Sequence, residues 1–147
     1  MLDLIMLQFY SKSDPGLLTH IVYSASDFRG RVNLVSPQEF LQVSAIELAE
    51  KEEFKAHIHT WKDCNIDTTV AQEAWVVIQG CVKASLYDEE QNLVGEQDLV
   101  PGDCCITLHG GHKYASINES LVYEFKSGPY LGDTLDKFYL PNSQAEK

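Results

Sequence analysis

The chain has 147 residues, 44% of them hydrophobic and 22% charged, a balance that supports one folded domain with a real core and excludes wholesale disorder. Its 22 acidic and 11 basic residues give a formal net charge of −11. That leaves no surplus of cations to release counterions from nucleic acid or to dock on anionic lipid, so neither is an expected partner.

The opening MLDLIMLQFY carries Asp3 where a secretory signal would be basic, and its apolar run is too short for one. No later segment approaches the ~20 apolar residues of a membrane-spanning helix. A soluble, cytoplasmic protein is expected. LIMLQFY is followed by SKSDPG, and LLTHIVY by SASDFRG. Apolar or alternating runs closed by Gly, Pro, Asn and Asp predict short strands. SPQE then opens like a capping box, with Ser36 as N-cap, Pro37 at the first helical position and Glu39 reaching back. The following FLQVSAIELAEKEEF has helical propensity, but a sheet context overrides propensity. The reading is one helical turn at 37–40 and a strand over 41–49.

A strand over 54–60 carries His57 and His59 in KAHIHTW, and the i, i+2 spacing puts both imidazoles on one face. The polar segment 60–72 is a loop, either a lid or a plain surface excursion. Over 73–87 the strand pattern places Glu73, Trp75 and Val77 on one face and Ala74, Val76 and Ile78 on the other. PGD at 101–103 leads into strands over 104–108, 112–118 and 121–127. Tyr114 shares the parity of His112, which makes it a candidate pocket residue, while Trp75 is read as core filling. In EFKSGPYLGDTLDK two turns return the chain to cover a sheet edge; the alternative puts Tyr130 or Lys137 near a pocket mouth. NSQAEK is a frayed tail.

Cys64, Cys81, Cys104 and Cys105 have no CxxC spacing, and neighbours Cys104 and Cys105 must point to opposite strand faces. Reduced, mostly buried thiols are expected, with Cys64 the exposed exception. Two paired histidines, a carboxylate and a distant histidine form a plausible ligand set for a divalent transition metal.

Together these residues resemble the cupin superfamily. His57, His59 and Glu73-AWVVIQ-Gly80 match its first motif; Pro101-Gly102-Asp103, leading through CCITL to Gly110 and His112, matches its second. The resemblance covers residues about 41–126. This chain departs from the pattern in the thirteen residues 60–72 ahead of Glu73, with Asp63 or Gln72 as stand-ins for it. It also has Leu108-His109 in place of the usual proline, which makes His109 the fallback for His112.

The resemblance implies an all-β double-stranded β-helix, a cupin-type jelly-roll barrel with little helix. One domain would have its core barrel at about 41–127, with 1–35 and 128–141 covering it and 142–147 as tail. It implies one divalent ion (Fe, Mn, Ni, Zn or Cu) on His57, His59, Glu73 and His112. The implied function is a metal-dependent enzyme acting on a small polar metabolite, of oxygenase or isomerase type. The alternatives are a non-catalytic metal- or ligand-binding cupin, and a metal-free nucleotide-sugar epimerase or isomerase working through a His and Tyr pair. A homodimer is expected, because an open sheet and an apolar N-terminal strand need cover.

Overall fold

A computed structural model describes residues 6–24, 31–46, 50–51, 53, 55–57, 59, 69–128, 131–132, 135 and 137–141. Among them the fold is all-β, with ten strands: β1 (Met6–Tyr10), β2 (Leu18–Tyr23), β3 (Arg31–Asn33), β4 (Ser44–Ile46), β5 (Glu73–Gln79), β6 (Val82–Tyr87), β7 (Leu93–Leu99), β8 (Cys104–Thr107), β9 (Gly111–Ser116) and β10 (Leu121–Lys126). Every pairing is antiparallel. The strands form a five-stranded sheet ordered β1-β2-β8-β5-β10, a three-stranded sheet ordered β7-β6-β9, and the ribbon β3-β4. No helix among the described residues is long and apolar enough to cross a membrane.

From β5 onward the chain passes back and forth between the two larger sheets. β5, β8 and β10 lie in one, and β6, β7 and β9 in the other. Tight corners make each crossing. At Gly80 φ is +85°, and a Cβ there would lie 2.4 Å from the Glu119 carbonyl oxygen, so the β5–β6 corner requires glycine. At the PGD corner the Gly102 N–H donates to the Val77 carbonyl at 2.7 Å, and the Asp103 carboxylate accepts the Val100 N–H at 3.0 Å. The corner therefore ties β8 back to the end of β5.

The five-stranded sheet is apolar on both faces, giving three layers. On one face Ile21, Tyr23, Ala74, Cys104 and Ile106 pack against Leu34, Val35 and Ala45, around the β3-β4 ribbon. On the other, Val22, Val77 and Cys105 meet Val82, Ala84, Leu86 and Leu99 of the three-stranded sheet. A strand covered on both faces loses its polar alternation, which is why β2 and β8 are buried almost throughout. Cys104 and Cys105 fall into different cores, as strand parity demands, and both are free thiols. Cys64 lies outside the described residues.

Several sequence expectations need correction. Residues 37–40 form a turn and bend without a helix; the Glu39 N–H donates to the Ser36 carbonyl at 3.0 Å. The strand expected over 41–49 is realised only at Ser44–Ile46, because Leu41 and Val43 are drawn onto the core as irregular chain; 47–49 lie outside the described residues. The described residues of 54–60 are exposed and outside any strand, as a polar segment with no pairing strand is left to solvent. The run 73–87 breaks into two strands at Gly80. Among the described residues the two larger sheets face each other as an open sandwich, with no backbone ladder joining them into the closed barrel expected. β1 and β2 lie in the five-stranded sheet and β3 in the ribbon.

Candidate functional site

Antiparallel register lays one polar row across the inner face of the five-stranded sheet. His20 of β2 is opposite Thr107 of β8, Thr107 is opposite Glu73 of β5, and Glu73 is opposite Lys126 of β10. His112 approaches this row from β9 of the facing sheet. Its Nε2 lies 3.1 Å from Glu73 Oε1, with side chains 24% and 19% exposed respectively. The Trp75 indole N–H donates to the same carboxylate oxygen at 2.6 Å. His112 Nδ1 is 2.9 Å from Thr107 Oγ1, Thr107 Oγ1 is 3.2 Å from His20 Nδ1, and His20 Nε2 is 2.8 Å from the Tyr87 carbonyl. One connected chain of polar atoms thus runs from the Glu73 carboxylate into the buried wall.

One layer further along β5 and β9, Trp75 and Tyr114 stack with ring centroids 4.1 Å apart. The Tyr114 ring also lies 4.8 Å from that of His112. Glu73, Thr107 and His112 open onto a cavity of about 570 Å³, the size of a metabolite pocket, whose other walls include Lys113, Lys126, Lys137 and Tyr139. Beyond the aromatic stack, Trp75 and Tyr114 line a smaller void of about 270 Å³ with Ser116 and Ser120. Trp75, expected as core filling, is a half-buried wall of that void. Lys137, Phe138, Tyr139 and Leu140 line the larger cavity, so the return of the chain forms a wall of the site. Tyr130 lies outside the described residues.

The electrostatics follow from these contacts. Burial pushes the Glu73 carboxyl up, but the His112 hydrogen bond and charge, the Trp75 N–H and the Lys126 charge outweigh it. The group therefore ionises below its ordinary range. Burial, with Cys105 and Glu73 beside it, raises the Tyr114 phenol far above its usual value, keeping it a neutral hydroxyl. Burial also lifts the Cys105 thiol to about 11 and lowers His20 to about 4.

Of the expected ligand set, Glu73 and His112 come together. His57 and His59 form a separate, exposed pair, with edge-to-face rings 4.9 Å apart and the His57 Nδ1–H donating to the Lys55 carbonyl at 2.9 Å. Among the described residues no three His, Cys, Asp or Glu side chains converge as metal ligands would. His109 sits in the turn between β8 and β9, its backbone N–H bonded to the Thr19 carbonyl at 3.2 Å. Sequence reasoning missed His20 and Thr107; the available signal was a histidine and a threonine interrupting otherwise apolar strands. No family model matches this chain, and neither a curated protein nor a solved structure does.

A carboxylate and an imidazole sharing a proton beside a cavity can take a proton from a bound molecule and return it at another atom. Both members line the cavity, and access to the reacting atoms is the first requirement for acid–base chemistry.

Proposed function

We propose that this chain is a cupin-type jelly-roll protein that binds a small polar metabolite between its two larger sheets and transfers a proton on it, an isomerase-type reaction. The winding of β5 to β10 back and forth between two facing sheets supports the double-stranded β-helix reading. The proton chemistry rests on one observation, the Glu73–His112 contact of 3.1 Å at the wall of a metabolite-sized cavity. A half-buried, coupled acid and base in a cleft is an arrangement that favours function over mere structure. Metabolites with a proton next to a carbonyl fit this pair. Glu73 and His112 would serve as base and acid.

The test is deuterium incorporation from D₂O into a panel of hydroxy-carbonyl compounds, followed by NMR. Exchange above the buffer rate should fall by about 10²–10⁴ in Glu73→Gln and in His112→Asn. Exchange that never exceeds buffer, or that both substitutions leave unchanged, sinks the reading.

A second reading keeps a divalent ion (Fe, Mn, Ni, Zn or Cu), with His57 and His59 closing onto Glu73 and His112. The mutual approach of the two loop imidazoles favours it, and a bound ion would polarise a carbonyl as a Lewis acid. Elemental analysis of protein purified without added metal decides it. Stoichiometric metal should be lost in His57→Ala and His112→Ala and kept in His109→Ala. The free thiols fit a reducing, cytoplasmic setting.

A further inference from the structure

We infer that His20, sealed inside the sandwich, decides which nitrogen of His112 carries the proton, and does so through the Thr107 hydroxyl. His20 is fully buried, so it reaches no ligand. Its Nε2 faces the Tyr87 carbonyl at 2.8 Å. A carbonyl oxygen only accepts, so Nε2 carries hydrogen. Burial, together with the nearby His112 and His109, holds the ring neutral. A neutral imidazole with hydrogen on Nε2 leaves Nδ1 as a bare acceptor.

Nδ1 of His20 lies 3.2 Å from Thr107 Oγ1, and a hydroxyl has one proton to give. That proton goes to His20. Thr107 then offers only lone pairs to His112 Nδ1 at 2.9 Å, so this nitrogen must be an N–H. The Tyr114 hydroxyl, also at Thr107, gives its own proton to the Cys105 sulfur, whereas the fully buried His20 Nδ1 takes its hydrogen bond from Thr107. The nitrogen of His112 left to gain and lose a proton is Nε2, the one facing Glu73. Each bond in the series points one way, and its origin is a backbone carbonyl.

Gly110 preserves that origin. Its φ is +80°, and a Cβ there would lie 2.2 Å from the Tyr87 oxygen. A side chain at 110 would push on the carbonyl that sets the series.

The consequence for chemistry rests on the proton-transfer reading above. With hydrogen fixed on Nδ1, the proton that His112 exchanges is the one its Nε2 shares with the Glu73 carboxylate, so the pair can take or give a proton at the cavity wall. His20 and Thr107 are thus positioning residues, and neither touches the metabolite chemistry directly.

Long-range ¹H–¹⁵N spectra of ¹⁵N-histidine-labelled protein, at a pH where the imidazoles are neutral, report the tautomers without any substrate. In the native chain His112 should carry hydrogen on Nδ1 and His20 on Nε2. Thr107→Ser should preserve this. Thr107→Val, nearly isosteric, removes the acceptor, and His112 should revert to the Nε2–H form that free imidazole side chains prefer. His20→Leu should do the same although Thr107 remains, because the hydroxyl proton is then free to turn toward His112; if that variant does not fold, Thr107→Val carries the test. A native His112 with hydrogen on Nε2, or a Thr107→Val variant with the native tautomer, overturns the inference. Native tautomers as stated, with no deuterium exchange on any compound, would instead overturn the proton-transfer reading and leave this one standing.

Discussion

At the scale of the single residue, His20 links burial to acid sensitivity. Its pKa is lowered from 6.5 to about 4, first by burial and then by the nearby His112 and His109, against the raising effect of the Tyr87 carbonyl. Between those values the unfolded chain binds a proton that the folded chain refuses, so stability rises with pH across the window and falls on acidification. Two and a half pH units at 1.36 kcal/mol each set an upper bound of about 3 kcal/mol. Urea denaturation at pH 7 and pH 4.5 should show the folded state losing stability over this range. His20→Asn should flatten that slope, and an equal slope in the variant would assign it to other groups.

The Cys104 and Cys105 thiols belong to the same scale. Burial pushes them up to about 12 and about 11, so neither offers thiolate at neutral pH. Thiol titration should leave both unreacted in native protein and find them only after denaturation. Rapid native labelling of either would contradict their burial.

Among elements, the corner residues hold the strands in place through buried polar contacts and tight backbone approach. Asp88 is 2% exposed and staples two loops together. One carboxylate oxygen accepts the Asn92 N–H at 2.8 Å and the Glu90 N–H at 3.1 Å; the other accepts the Lys12 N–H at 3.0 Å. Burial alone would raise this carboxyl, but those donors, Asn92 foremost, hold it at about 2. Because the folded value lies below the unfolded one, its contribution is present above about pH 4 and lost as pH falls toward 2. Asp88→Ala leaves buried donors without an acceptor and should cost about 1–3 kcal/mol by chemical denaturation at pH 7. Gly80→Ala should cost at least as much, since it combines a left-handed φ with a backbone clash against Glu119. A loss below about 0.5 kcal/mol in either variant would show that these corners relax freely.

For the whole molecule, the open question is the edge at β10. It ends the five-stranded sheet, and Leu121, Tyr123 and Phe125 on its outer face are each more than half exposed. Edges of this kind invite pairing with another chain. Pairing with a second copy about Tyr123 would set Leu121 opposite the copy's Phe125 and bury the stripe across a two-fold axis. Light scattering should give twice the 16.5 kDa chain mass, and Tyr123→Lys should return the monomer. A native monomer across a concentration series would remove the claim.

What the sequence by itself determined is local. Period-two alternation put Glu73, Trp75 and Val77 on one face, paired His112 with Tyr114, and sent Cys104 and Cys105 into opposite cores. Turn chemistry marked the PGD corner, and Gly and Asn ended the strands where they end. These follow from backbone geometry within a few residues, so no distant partner is needed to read them. Tertiary structure alone decided the rest. Whether a strand has one covered face or two depends on which layers pack on it, and the third layer made β2 and β8 buried throughout. His20 and Thr107 are 87 residues apart and meet only because β2 pairs with β8 in one register of many. The same contingency left His57 and His59 in exposed loop and brought His112 to Glu73 from the opposite sheet. Spacing along a chain sets which face a side chain shares, whereas its partner across a sandwich is set by pairing energies summed over the whole fold.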